Sequence, residues 1–62
     1  MIEVTYCYIR KNNTITTNVA TFNNVHTALR FIYKCKTNAR MVLMNYDCTD
    51  GLDQEYLDRR VH

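Results

Sequence analysis

The residues best suited to chemistry in this 62-residue chain are three cysteines, Cys7, Cys35 and Cys48, and two histidines, His26 and His62. Together they supply the ligand types of a Cys₃His zinc centre. Structural zinc sites, however, pair their ligands two to four residues apart, and these cysteines are widely scattered. No metal or other cofactor is expected. A nucleophilic thiol would need Cys48 beside His26, with Asp47 orienting the imidazole, and no spacing brings those three together. The single glycine, Gly51, rules out a glycine-rich phosphate loop, and the chain holds no nucleophile elbow or paired-histidine metal motif. The expectation is a protein that is not an enzyme, with cysteines serving as small hydrophobes.

Charge carries more information. The formal net charge is +2, yet five of the six carboxylates lie within YDCTDGLDQEYLD, Tyr46 to Asp58. From Val4 to Tyr46 there is none, whereas Arg10, Lys11, Arg30, Lys34, Lys36 and Arg40 all fall there. With His26 these cations form a candidate nucleic-acid surface, since basic side chains contact phosphates and sheet tyrosines can stack bases. Against that reading, the pI of about 8.5 is modest, no helix-turn-helix or RNP signature is present, and the acidic end repels a phosphate backbone.

These residues must be positioned by a small number of elements. IEVTYCYIR and ITTNVAT read as two strands joined at Asn12-Asn13 by a two-residue loop, which sets Val4 opposite Thr21, Tyr6 opposite Val19 and Tyr8 opposite Thr17. From about Asn23 to Lys36 the apolar period becomes that of a helix, with Val25, Ala28, Leu29, Ile32 and Cys35 in one stripe. Thr21 or Asn23 would cap its start, Asn38 would take a left-handed position after its end, and His26, Arg30 and Lys34 would form a basic ridge. RMVLMNYDC reads as a third strand, with Val42, Met44 and Tyr46 turned to the helix and Met41 and Leu43 on the open face. TDGLDQEYLDRRVH forms a short closing helix capped by Thr49 or Asp50, with Leu52, Tyr56 and Leu57 apolar and Glu55 paired to Arg59.

The fold expected is therefore α+β and a single domain over 1–62: an antiparallel sheet of order 2-1-3, packed on one helix in the order ββαβ, with a short C-terminal helix. Its core would comprise Tyr6, Tyr8, Val19, Val25, Leu29, Ile32, Val42 and Met44. A domain of this size buries only about 60% of its unfolded surface, which leaves little room for a deep pocket. No apolar run reaches membrane-span length, the first residues lack a signal-peptide pattern, and an odd number of scattered cysteines argues against a secreted disulfide framework. The expected compartment is the cytoplasm.

The segment TFNNVHTALRFIYKCKTNARMVLMNYDC resembles the strand–helix–strand part of the small phage inhibitor of bacterial RNA polymerase, through Thr21, Ala28, Leu29, Tyr33 and Cys48. Small early phage proteins of this style bind and redirect a host enzyme, so the resemblance implies a class of function and no particular site. From the residues themselves, the function expected is protein binding. Met41, Leu43 and Ile9 would anchor a larger cytoplasmic partner, and Asp50, Asp53, Glu55 and Asp58 would form a steering rim. A homodimer could use the same patch.

Overall fold

The computed structural model describes residues 1–61. The order is β1 (Ile2–Ile9), β2 (Ile15–Phe22), α1 (Val25–Thr37), β3 (Met41–Cys48) and α2 (Gly51–Val61), and β1 is the central strand of an antiparallel sheet ordered β2-β1-β3. The α+β class, strand order and closing helix are those expected from the sequence.

The hairpin departs from expectation by one residue. Arg10 N–H donates to the Thr14 carbonyl, Asn13 N–H donates to the Arg10 carbonyl, both at 2.9 Å, and Asn13 sits at φ 66°. This is a three-residue loop, a type I turn closed by a left-handed residue, and asparagine tolerates that backbone better than most side chains. Asn12 braces it by accepting from Thr14 N–H at 3.0 Å. The longer loop slides β2 by one position, so that Val4 meets Ala20, Tyr6 meets Asn18 and Tyr8 meets Thr16. Because side chains alternate, the slip turns Ala20 and Phe22 toward the helices and Val19 out to solvent.

α1 starts two residues later than expected. Asn24 is its cap, accepting from His26 N–H at 2.8 Å and Thr27 N–H at 3.4 Å, while Thr21 remains in β2 opposite Glu3. Asn38 ends the helix in extended backbone, φ −98°, and not in the left-handed region. The apolar stripe holds: Ala28, Ile32 and Cys35 are buried, and Val25 and Leu29 pack against the core.

In β3 the pairing with β1 steps from Thr5–Asn45 to Tyr6–Leu43, leaving Met44 as the extra residue of a β-bulge. The bulge inverts the facing of everything before it. Met41 and Leu43 share the helix face with Tyr46 and Cys48, and Val42 and Met44 are exposed, the reverse of the expected assignment.

α2 is capped by Asp50, whose carboxylate accepts from Leu52 N–H at 2.8 Å. It lies on the same side of the sheet as α1: Leu57 and Val61 join Ile2, Val4, Ala28, Ile32 and Tyr46 in one core. Leu52, expected in the apolar stripe, is exposed, and Val61 takes its place. The expected i,i+4 pair forms, Arg59 to Glu55 at 2.6 Å. Since both helices gather over Ile2 and Val4, the core sits at that end of the sheet. Of the core expected, Ile32 is fully buried and Val25 and Leu29 partly so, whereas Tyr8, Val19, Val42 and Met44 lie at the surface.

Candidate interaction surfaces

The slipped hairpin and the bulge together determine one face of the sheet. Its cross-strand rows are Glu3 with Thr21 and Asp47, Thr5 with Val19 and Asn45, Cys7 with Thr17 and Val42, and Ile9 with Ile15. Neither helix covers this side. Ile15, Val19 and Val42 are 63%, 57% and 47% exposed, and Ile9 and Cys7 are half-buried beside them. At one end Glu3 and Asp47 oppose each other across β1 and β3. At the other stand Lys11, in the hairpin turn, and Arg40, whose guanidinium donates to the Ile9 carbonyl at 3.3 Å. The middle of the face is thus uncharged, with Val19, Val42, Cys7, Ile9 and Ile15 set among Thr5, Thr17 and Asn45, and its ends are oppositely charged.

Of the residues proposed from sequence as an apolar anchor, Ile9 lies on this face. Met41 and Leu43 do not: Leu43 packs on the core, and Met41 is half-buried on the helix side. The acids of the expected rim are also elsewhere, on α2 or its cap, and most are engaged locally. Asp50 caps α2, Glu55 pairs with Arg59, and Asp58 accepts from the Tyr46 hydroxyl at 2.6 Å and from the Gln54 amide at 3.2 Å. Asp53 sits in the first turn of α2, where a carboxylate complements the helix dipole. The charge segregation visible in the sequence is largely a helix with acids at its start and bases at its end. The carboxylates that do border the open face, Glu3 and Asp47, are betrayed by no local pattern, because strand pairing alone brings them together.

The basic residues divide in the same way. The His26 imidazole meets the Tyr56 hydroxyl at 3.2 Å and the Tyr56 ring edge-on at 5.4 Å, and the Arg60 guanidinium stacks over the Tyr56 ring at 3.6 Å, forming a small cluster between α1 and α2. The ridge His26, Arg30, Lys34 therefore has its first member tied into the fold. Lys36 donates to the Val61 carbonyl at the end of α2. Arg30 and Lys34 are exposed, and Lys34 shares a cleft of about 570 Å³ with Arg10, Tyr6, Tyr8 and Phe31.

The cysteines do not converge. Cys7 is on the open face with its thiol 3.6 Å from the Thr17 hydroxyl, Cys35 is in the core, and Cys48 is on the helix side. Burial pushes the Cys35 thiol up, and burial with the nearby carboxylates of Asp53, Asp47 and Asp58 pushes up Cys48. Both are driven toward the neutral, unreactive thiol. Among the described residues no group of three or more His, Cys, Asp and Glu side chains is placed to hold a metal ion, and His62 lies outside them. Among the described residues no helix is long and apolar enough to cross a membrane. No protein-family model, curated protein or solved structure matches the chain.

Proposed function

We infer that this chain is a small, non-enzymatic protein-binding module that docks its bare sheet face on a larger cytoplasmic protein. Binding a larger protein is the class of function, with no particular site, that a resemblance to phage-encoded modulators of host enzymes implies. The observation that carries the reading is the uncovered face itself. An antiparallel sheet with one buried side ordinarily turns polar residues to water on the other. Here Ile15, Val19 and Val42 stand out to solvent beside Ile9 and Cys7. An uncharged, partly apolar centre with charges confined to the periphery matches the charge-depleted core and polar rim of an interface. The opposite charges at its two ends, Glu3 with Asp47 and Lys11 with Arg40, would set the orientation of docking and its rate.

Nucleic-acid binding along His26, Arg30 and Lys34 has less support, since Tyr56 holds His26 and Lys36 is spent on the end of α2.

Affinity capture from a bacterial lysate tests the function, using the tagged chain, Val42→Asp and Leu52→Asp. Both substituted side chains are exposed, but Leu52 lies on α2, away from the sheet face. The expected result is a captured protein that Val42→Asp loses and Leu52→Asp retains. Equal capture by all three chains would sink the assignment to this face. A chain that is dimeric in solution and becomes monomeric on Val42→Asp would assign the face to self-association instead.

A further inference from the structure

The two helices gather over Ile2 and Val4, so the hairpin end of the sheet is covered on its helix side by little more than Phe31. The uncovered volume is the cleft of about 570 Å³ between the last turns of α1 and the hairpin, within the size range of small-molecule sites. Its aromatic surface comes from Tyr6, in edge contact with Phe31 at 5.0 Å, and from Tyr8, which is half-exposed two residues further along β1. Arg10 and Lys34 approach from the hairpin and from α1.

The cations are the unusual part. Among the described residues no carboxylate lines the cleft, and neither the Arg10 guanidinium nor the Lys34 ammonium has an ion-pair or hydrogen-bond partner. The acids that might have served are remote in the fold: Glu3 and Asp47 pair at the opposite end of the strands, and the others belong to α2 and its cap. Two uncompensated cations over an aromatic wall favour a ligand with an anionic group and a flat ring. Bases stack on exposed aromatic side chains, and basic side chains hold phosphates.

We propose that this cleft binds a nucleotide unit, with the base against Tyr8 and the phosphate between Arg10 and Lys34. The same chemistry is presented by a free nucleoside phosphate and by one residue of a single strand. The site lies on the side of the sheet opposite the bare face, so it stands or falls independently of protein docking.

Amide NMR titration of the intact protein at low salt is the test, with AMP, adenosine, inorganic phosphate and a single-stranded oligothymidylate as probes. The expected result is saturable shifts confined to Tyr6–Arg10 and Phe31–Asn38 with AMP, the oligonucleotide or both. Adenosine and phosphate alone should each bind about tenfold more weakly than the nucleotide that joins them. Comparable affinity for AMP and oligonucleotide identifies a free nucleotide as the source, and about tenfold tighter binding of the oligonucleotide identifies a strand. Arg10→Gln and Lys34→Gln should each weaken binding about three- to tenfold, as should Tyr8→Leu, with amide spectra that remain dispersed. Two results would overturn the proposal. One is the absence of saturable shifts in the cleft with AMP and oligonucleotide up to about 10 mM, beyond the weakest affinities ordinarily called specific. The other is unchanged affinity in the Arg10→Gln, Lys34→Gln double variant.

Discussion

The Tyr46 hydroxyl, carried by β3, donates a 2.6 Å hydrogen bond to the Asp58 carboxylate of α2. This contact ties the closing helix to the sheet, and it has a consequence for pH. Burial first, then the Asp58 hydrogen bond and the charges of Asp58 and Cys48, push the Tyr46 phenol up from 10.0 to about 12. A folded-state value above the unfolded one means that the neutral phenol is favoured by folding. Its contribution is complete below pH 10 and is lost as pH rises toward 12. Alkaline titration followed by far-ultraviolet circular dichroism should show stability falling across that window, by on the order of 2 kcal/mol from this group. Tyr46→Phe should be less stable at neutral pH and flatter in the alkaline range. An alkaline limb identical in wild type and Tyr46→Phe would exclude Tyr46 as its source.

Leu57 is fully buried on α2, and Ile32 is fully buried on α1. Truncating either to alanine should cost roughly 2–5 kcal/mol, a large part of what a chain of this size has available. Leu52→Ala, at an exposed position on the same helix, should stay within about 0.5 kcal/mol. Urea denaturation compares the three. A Leu57→Ala protein as stable as Leu52→Ala would show that α2 is not part of the core.

The two irregularities that set the faces of the sheet make opposite predictions. Asn13 is left-handed at φ 66°, so Asn13→Gly should preserve or raise stability, and Asn13→Val should lower it by about 1–2 kcal/mol. Met44 is the surplus residue opposite Thr5 and Tyr6. Deleting it joins Leu43 directly to Asn45 in a regular ladder, with every other side chain on its present face. The deletion should therefore yield a folded protein, whereas inserting a residue at the same place should not. Chemical-shift dispersion in an amide spectrum distinguishes these outcomes, and an unfolded deletion variant would contradict the bulge.

Cys7 lies on the bare face, Cys35 in the core and Cys48 under α2 with its thiol pushed up. Iodoacetamide applied to the native protein should alkylate Cys7 first and Cys35 last, at least tenfold apart at neutral pH, because attack requires both access and thiolate. Peptide mass spectrometry reads the order. If a partner covers the sheet face, its addition should slow Cys7 selectively.

What was legible in the sequence is what neighbouring residues dictate. Strand-like alternation in Ile2–Ile9, the helical stripe from Val25 to Cys35 and the capped acidic start of α2 each express a period read along one segment, and those elements formed in the expected order. The charge order of the last segment was legible for the same reason, since the Glu55–Arg59 pair and the Asp50 cap are contacts within a turn or two of one helix. Which apolar residues face outward was decided only in three dimensions. A loop of three residues in place of two moved Val19 from core to surface, and one surplus residue at Met44 exchanged Leu43 and Met41 for Val42. Side chains on a strand alternate with a period of two, so each single-residue shift reverses an entire face, and nothing within the strand records it. The register is fixed instead by the backbone of the hairpin loop for β2, by pairing with β1 tens of residues away in sequence for β3, and by the two helices that close over Ile2 and Val4 and leave the other side of the sheet bare.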